Sequence, residues 1–302
     1  MKTRILIFVL ILTASASFAQ QDAQFTQYMY NTINVNPAYA GSRGVMSIFG
    51  LHRTQWVGLD GAPVTNALSL NTPINNSNIG IGLSAINDRI GPTVENTLSV
   101  DVSYTVQTSE TYKLSFGVKG TGNFFNLDAS KLNPLVDNDP SLVNYNKFSP
   151  NVGAGVYLHS DKSYIGVSVP NFIQSNRYDS DNVAIFKERI NYYLIAGHVF
   201  DLNPNIKFKP ALLTKLVTGS PLQVDVSGNF MFYEKFVIGA AYRWDAAVSA
   251  LAGFQITDGL YIGYGYDMET TKLRKYNSGS HEVFLRFELF NNYNKIISPR
   301  FF

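Results

Sequence analysis

The segment Ser280–Phe290 alternates between apolar and charged side chains along most of its length. The odd-numbered positions from Val283 to Leu289 are apolar, whereas Glu282, Arg286 and Glu288 occupy even-numbered positions. Because successive side chains of a β-strand point to opposite faces, this strand has one apolar and one charged face. A soluble β-sandwich could contain such a strand, but a chain built mostly of them behind an export signal indicates a transmembrane β-barrel.

The N-terminus has the three parts of a secretory signal peptide. Lys2 and Arg4 supply positive charge, Ile5–Leu12 is an unbroken apolar run, and small residues precede the cleavage position at Ala19. The apolar run is too short to span a bilayer as a helix, which takes about 20 residues. We therefore expect cleavage after Ala19 and export of a mature chain that begins at Gln20.

The composition excludes several classes of protein. The chain has no cysteine, so disulfides, cysteine nucleophiles, thiolate metal sites and an acylated N-terminal cysteine are excluded. It contains 18 Tyr and 21 Phe, enough to supply aromatic girdles at both surfaces of a bilayer. A net charge of +2 without a basic run argues against nucleic acid as a partner. Membrane lipid is the partner that this composition favours.

Alternation and turn residues together predict an all-β, transmembrane outer-membrane β-barrel of about 14 antiparallel strands, an even number as in single-chain barrels. The predicted strands are Gly44–Arg53, Ala62–Asn71, Ile79–Asp88, Thr93–Val106, Tyr112–Phe124, Pro150–His159, Ser163–Val169, Arg189–Phe200, Ile206–Val217, Pro221–Phe232, Phe236–Arg243, Ala246–Ile256, Leu260–Asp267 and Ser280–Phe290.

The lengths of the connections support this strand count. Outer-membrane barrels have short periplasmic turns and longer extracellular loops. The three longest predicted connections, Asn126–Ser149, Pro170–Glu188 and Met268–Gly279, all join an odd-numbered strand to an even-numbered one. They therefore share one end of the barrel, which we expect to be the extracellular end.

We expect three parts in the chain: a signal peptide over 1–19, a periplasmic N-terminal segment over 20–43, and the barrel with a short C-terminal tail over 44–302. The N-terminal segment shows no alternation. It could plug the lumen, contact a periplasmic partner, or lie as an ordered strap along the barrel wall. Its candidate contact residues are Phe25, Tyr28, Asn36, Pro37 and Tyr39.

The residues that commonly carry catalysis or bind metals are scattered. The four histidines are His52, His159, His198 and His281, and each lies on a different predicted strand without metal-ligand spacing. His281 follows Ser280 and precedes Glu282, but neighbours along a strand point to opposite faces. We therefore expect no catalytic residues, no metal site, no cofactor and no enzymatic activity.

A group of charged and aromatic residues falls near the extracellular mouth. The parity of their strands places Asp88, Arg243, Asp267 and Glu282 on the lumen face. Two interpretations remain open: the rim recognises a polypeptide or glycan, or its charges pair across the lumen and brace the barrel. The full candidate partner-binding set is Arg53, Trp56, Asp88, Arg243, Asp267, His281 and Glu282.

Several motifs, in order along nearly the whole mature chain, resemble the PorP/SprF family. The opening motif and the Gly-Ser-His-Glu motif are rarely found together, which makes the resemblance specific. The motifs are Gln21–Tyr30, Asn36–Gly41, Arg53–Gly58, Gly61–Pro63, Gly239–Arg243, Gly263–Asp267 and Gly279–Glu282.

This resemblance implies a non-enzymatic outer-membrane protein of the type IX secretion system, which also serves gliding motility. Members of the family support secretion or surface anchoring of a particular cargo, often an adhesin with a C-terminal sorting domain. Some contact periplasmic ring and motor proteins. The resemblance also implies the outer membrane of a Gram-negative bacterium. The alternative is a passive porin or small-solute channel, for which Gly80 and Gly82 would leave room in the lumen.

Overall fold

The computed structural model describes residues 28–75, 77–132, 143–175 and 189–289, which form fifteen β-strands and four short 3-10 turns. No helix among these residues is long and apolar enough to cross a bilayer. The strands are β1 (Met46–Thr54), β2 (Val64–Pro73), β3 (Ile79–Ile90), β4 (Thr93–Gln107), β5 (Lys113–Leu127), β6 (Tyr145–His159), β7 (Ser163–Val169), β8 (Asn191–His198), β9 (Phe200–Asn203), β10 (Ile206–Val217), β11 (Gln223–Phe232), β12 (Phe236–Arg243), β13 (Ala247–Gln255), β14 (Leu260–Glu269) and β15 (Ser280–Leu289).

The strands close into a single antiparallel barrel. Apart from β8 and β9, each strand pairs with its neighbours in sequence, and the first strand pairs with the last, so that Met46 lies opposite Leu289. β8 and β9 are separated only by Val199 and pair with the same strand, β10. They therefore act as one barrel stave, and the described residues form a barrel of fourteen staves. The prediction of an all-β barrel with about 14 antiparallel strands is confirmed.

Most strand ends lie within three residues of the prediction, but two strands differ from it in other ways. The strand predicted over Arg189–Phe200 is divided at Val199, although the Val199 N–H still donates to the carbonyl of Lys162 (2.9 Å), which continues the register of the β7–β8 pair. β6 begins at Tyr145 rather than at Pro150. The proline is tolerated inside this strand because its described ladder with the shorter β7 ends at Ala154, so no bond of that ladder is lost.

The two faces of β15 are the ones that its alternation predicts. Val283, Leu285 and Phe287 are 43%, 47% and 43% exposed on the outside of the barrel, whereas Glu282 and Arg286 are buried inside it. The same alternation runs through β4 and β11, among other strands. An outer surface that is apolar, with polar groups inside, is the arrangement required of a barrel in a lipid bilayer.

A charge on the outer face of β15 should destabilise the barrel according to its depth. We expect Leu285→Arg, in the middle of the strand, to reduce the free energy of unfolding by about 2–4 kcal/mol. Leu289→Arg, at the end of the same face, should cost about 1 kcal/mol or less. Urea unfolding of both variants in lipid vesicles measures this. Equal losses at the two positions would contradict the assigned depth.

The long connections lie together at one end, which we call the outer end. They join β5 to β6, β7 to β8, and β14 to β15, and residues 133–142 and 176–188 within them lie outside the described residues. At the opposite end the longest turns are 74–78 and 108–112, of five residues each. This agrees with the pattern of short periplasmic turns and longer extracellular loops.

Candidate functional site

The described part of the N-terminal segment lies inside the barrel. Residues 28–43, which we call the plug, include the two 3-10 turns Thr32–Asn34 and Pro37–Tyr39. Most of its side chains are fully buried, and Ile33 and Ala38 have no exposed surface. This part of the segment therefore lies in the lumen, which is one of the three placements that the sequence left open. Phe25 and the cleavage position at Ala19 lie outside the described residues.

Asn36 and Pro37 determine the shape of the plug at its second turn. The Asn36 Oδ1 atom accepts a hydrogen bond from the Ala38 N–H (3.0 Å), which caps the turn, and proline is well suited to the first position. The other side of the same amide faces the wall, where Asn36 Nδ2 donates to the carbonyl of Val156 (3.1 Å). One side chain thus fixes both the turn and its place in the lumen.

The barrel wall satisfies carbonyl groups of the plug that would otherwise be buried without partners. An unpaired backbone group costs about as much as a lost hydrogen bond, so these contacts hold the plug in register. The bonds are Lys119 Nζ to Ile33 O (3.1 Å), Ser103 Oγ to Ala40 O (2.7 Å) and Ser168 Oγ to Val35 O (2.6 Å).

Glycines on the lumen face let the wall approach the plug closely. A Cβ atom at Gly117 would overlap the backbone of Ala38, and one at Gly155 would overlap the side chain of Asn36. Gly80 and Gly82, which seemed to leave room for a solute, instead contact plug residues. The absence of side chains at these positions makes space for the plug.

An aromatic cluster holds the start of the plug against β14 and β15. The ring of Tyr30 stacks on Tyr261 (5.5 Å between centroids) and packs against Phe284 (4.7 Å), and the two tyrosine hydroxyls hydrogen-bond at 3.2 Å. Burial raises the pKa of the Tyr30 phenol well above its ordinary value, so the group stays neutral. The Arg286 guanidinium lies over the Tyr261 ring at 4.8 Å.

Three of the predicted rim residues form one buried ionic cluster. Arg53 Nη1 lies 2.7 Å from Asp267 Oδ2 and 3.1 Å from Glu282 Oε2. All three residues are at most 2% exposed. Arg53 and Glu282 are direct cross-strand partners because the closing pair joins β1 to β15. This geometry matches the bracing interpretation, since a partner molecule could not reach these side chains.

The loop after β1 covers this cluster. Trp56, whose backbone is left-handed (φ 46°), donates from its main chain to Ser280 Oγ (3.2 Å) and from its indole to Glu269 Oε1 (2.9 Å). The next residue, Val57, donates to the carbonyl of Gly279 (2.9 Å). This side of the outer mouth is therefore closed by its own loops.

The remaining rim residues lie elsewhere. Asp88 accepts a hydrogen bond from Thr65 Oγ1 (2.6 Å) on the lumen face. Arg243 Nε pairs with Asp225 Oδ1 (2.8 Å), also on the lumen face. His281 is on the opposite side of its strand, where its Nδ1 atom contacts the Tyr264 hydroxyl (2.6 Å) on the outer surface. The seven predicted rim residues thus do not come together as a single site.

Asp88 and Arg243 belong to a cavity at the outer end, which we call the outer vestibule. Its floor is the plug, at Tyr28, Asn34 and Val35. Including the solvent at its mouth, it encloses about 1230 Å³. Its walls add charged residues that the sequence analysis missed, namely Glu95, Lys119, Lys215 and Asp225. Strand parity alone would have shown that Glu95 and Lys215 face the lumen.

The vestibule is suited to non-covalent recognition. Within the described ranges no group of three His, Cys, Asp or Glu side chains is placed to hold a metal ion. The lining combines carboxylates, amines, hydroxyls and amides with a few apolar side chains such as Ile86 and Leu213. Such a surface can bind a polar chain through hydrogen bonds and ion pairs.

Comparison with known proteins identifies the family and supports the fold. The family described as type IX secretion system membrane protein PorP/SprF matches residues 17–287. The solved CymD monoaromatic hydrocarbon channel has a TM-score of 0.51 and 12% identity, over 90% of this chain and 94% of that one. The NanC porin has a TM-score of 0.42 and 10% identity, over 81% and 100%. No curated protein sequence matches the chain significantly.

At these identities the likeness to CymD shows the barrel fold alone. The family and the barrel fold together suggest the outer membrane, and the family suggests a non-enzymatic role. The family match covers most of the chain, including the plug, the vestibule walls and the buried ionic cluster. The chain belongs to the PorP/SprF family of type IX secretion system membrane proteins.

Proposed function

We propose that this barrel is a plugged surface anchor of the type IX secretion system, which supports secretion of one cargo polypeptide and holds it in the outer vestibule. The observation that carries the proposal is the plug: it occupies the lumen, while a polar cavity stays open above it. An anchor needs a binding surface at the outer end and a closed lumen. The vestibule supports the first requirement and the buried plug supports the second.

Membership of the family supports the following choice of partners. The cargo is a secreted protein such as an adhesin with a C-terminal sorting domain, and gliding motility is the process that such an adhesin would serve. The short-turn end of the barrel faces the periplasm, where ring and motor proteins of the system would contact it. The membrane is the outer membrane of a Gram-negative bacterium. No catalytic step is part of this role.

Filling the vestibule should release the cargo without unfolding the barrel. Thr97 lines the cavity on β4, so Thr97→Trp would occupy the space in which a cargo segment binds. We expect surface cargo to fall at least fivefold and the same protein to accumulate in the medium. Protease shaving of intact cells followed by mass spectrometry measures both quantities.

The matched control is Leu98→Trp, the next residue, which is 54% exposed on the outer face of the same strand. It should leave cargo at the surface. Heat modifiability on gels shows the amount of folded barrel in each strain. Full cargo retention by folded Thr97→Trp would refute the vestibule as the anchoring site.

A passive porin or small-solute channel is the second candidate, and the porin-like fold is the observation in its favour. The two roles differ in permeability. We expect liposomes that contain the purified barrel to exclude arabinose and raffinose, because the plug contacts the wall on most sides. Swelling at rates typical of porins would favour the channel.

A further inference from the structure

Four polar residues form a row on the outside of the barrel, near its outer end. They are direct cross-strand partners on four neighbouring strands, and each lies within three residues of the outer end of its strand. We call this row the polar strip: His52 on β1, Asn66 on β2, Asn87 on β3 and Asn96 on β4. Their neighbours along the strands, such as Arg53 and Thr65, are buried on the lumen side. The strip therefore faces the surroundings of the barrel.

The polar strip lies at the border of the apolar outer surface. Two residues further from the outer end on the same face, Leu68 and Leu98 are 57% and 54% exposed. Beyond β4 the same row continues with Phe124 on β5 and Phe148 on β6, whose ring centroids lie 5.0 Å apart. Aromatic rings are typical of the head-group level in outer-membrane barrels. The strip therefore lies at head-group level, with polar groups where its neighbours have rings.

Hydrogen bonds within the polar strip order its side chains and leave some of their polar atoms available. His52 Nδ1 contacts Asn66 Oδ1 at 2.8 Å, and Asn87 Nδ2 donates to Asn96 Oδ1 at 2.8 Å. Within the described part of the chain, no protein group bonds the Nδ2 atoms of Asn66 and Asn96 or the Oδ1 atom of Asn87. These atoms can serve a ligand that has both donors and acceptors.

Arg89 adds a positive charge beside the polar strip. It is exposed, and it lies two residues beyond Asn87 on the same face of β3. Its cross-strand partners are Val64 and Val94, and no carboxylate among the described residues pairs with it. A guanidinium at head-group level suits a phosphate, which it can bind through two parallel hydrogen bonds.

We infer that the polar strip and Arg89 bind the head group of an outer-leaflet glycolipid, with a sugar phosphate on Arg89 and the sugar hydroxyl and amide groups along the strip. Three strand spacings make the strip about 14 Å long, which suits a disaccharide better than a single phosphodiester. Sugar hydroxyls both donate and accept, which matches the available atoms of the asparagines. The acyl chains of such a lipid would cover the apolar surface at Leu68 and Leu98. Neither the vestibule nor the cargo takes part in this site.

Three lipids test the site on the purified full-length mature barrel in detergent: diphosphoryl lipid A, the same lipid without its phosphates, and phosphatidylglycerol. Native mass spectrometry measures the dissociation constant of each. We expect diphosphoryl lipid A to bind at least about tenfold more tightly than the other two. The dephosphorylated lipid lacks the contact with Arg89, and phosphatidylglycerol lacks the sugars that contact the strip.

Arg89→Gln should abolish the preference for phosphorylated over dephosphorylated lipid A, because it removes the charge but keeps a hydrogen-bonding side chain. The matched control is Arg189→Gln, which removes an exposed arginine at the same end of the barrel, just before β8. It should keep the preference. Heat modifiability confirms that each variant is folded.

A photo-crosslinking amino acid in place of Asn87 distinguishes a lipid from a protein partner on this face. After illumination of intact cells, we expect the main adduct to be glycolipid. The same amino acid in place of Tyr242, at the outer end of β12, is the control. Once the barrel has been purified in detergent, illumination should label lipid through the Asn87 position and not through the Tyr242 position.

Several results would overturn the inference. They are a protein as the main adduct at Asn87, equal binding of the two forms of lipid A, phosphatidylglycerol binding as tight as that of lipid A, or an unchanged preference in folded Arg89→Gln. Equal labelling of lipid through both crosslinking positions after purification would also contradict a site, since it would mean that lipid coats the barrel without preference.

Discussion

Arg53→Ala should cause the largest loss of stability of any single substitution in the rim. Arg53 is the shared partner of Asp267 and Glu282, and all three residues are at most 2% exposed. Its removal leaves two carboxylates buried without their cation. Breaking a buried ion pair in this way typically costs about 3–5 kcal/mol. We expect heat-modifiable barrel to fall sharply in cells, and urea unfolding of the remaining protein to shift by a comparable free energy.

The control for this prediction removes the whole cluster. The variant Arg53→Leu/Asp267→Asn/Glu282→Gln leaves no charge in this cluster. Replacement of a complete buried ion cluster by uncharged groups of similar size often changes the free energy of unfolding little. This triple variant should recover most of the folded barrel that Arg53→Ala loses. A triple variant as unstable as Arg53→Ala would mean that packing, and not charge, stabilises this side of the mouth.

The same cluster decides between the two interpretations of the rim. If Asp267 and Glu282 only brace the barrel, alanine at both positions should lower surface cargo in proportion to the folded barrel that is lost. If they bind the partner, cargo should be released while the barrel remains folded. Their burial beneath the loop that contains Trp56 leads us to expect the first result. Measuring heat-modifiable barrel and surface cargo in the same strains separates the two.

Strand alternation and turn residues together were sufficient to predict the barrel, because most staves carry the signal within themselves. A period of two over seven or more residues, as in β7, identifies a strand without any knowledge of its partners. The break at Val199 was missed because β8 and β9 keep one register along β10 on either side of it. The alternation of side chains therefore continues across the break and gives no sign of it.

The positions of the rim charges were predictable only in part. The alternation of odd and even positions along each strand placed four residues correctly on the lumen face, namely Asp88, Arg243, Asp267 and Glu282. It does not show where around the circumference of the barrel each residue lies. Arg53 meets Glu282 because closure makes the first and last strands neighbours. Arg243 and Asp88 lie on other staves and therefore enter the vestibule instead.

The plug was one of three roles that the sequence left open for the N-terminal segment, and its own residues could not select it. It has neither helical nor strand periodicity, and its contacts join positions far apart in sequence, such as Asn36 with Val156. The signal for it lies in the barrel strands. Lumen-facing glycines indicate that something approaches the wall closely, and the sequence alone does not distinguish a solute from a segment of the same chain.

Substitution of the lumen-facing glycines Gly117 and Gly155 should have the second large effect, which is on the permeability of the barrel. Gly117→Val/Gly155→Val should displace the plug and open the lumen, because the added Cβ atoms would overlap the backbone of Ala38 and the side chain of Asn36. No residue of the plug takes part in the strand ladder, so we expect the staves still to close. We expect liposomes with this variant to take up arabinose, whereas those with the wild-type protein exclude it. Single-channel recordings should show openings that the wild type lacks.

Gly120→Val is the matched control, since it lies on the same strand as Gly117 but on the exposed face, with no atom within 4 Å of an added Cβ. It should be folded and impermeable. If the double variant is also folded and impermeable, the plug has repacked or other elements close the lumen. In that case the glycines are not required to make room for the plug. If the wild type already conducts, the plug leaves a path beside it, and the passive channel becomes the better account. If the double variant conducts while the wild type and Gly120→Val do not, the plug is the barrier that closes the lumen. Surface anchoring without leakage would then depend on the plug.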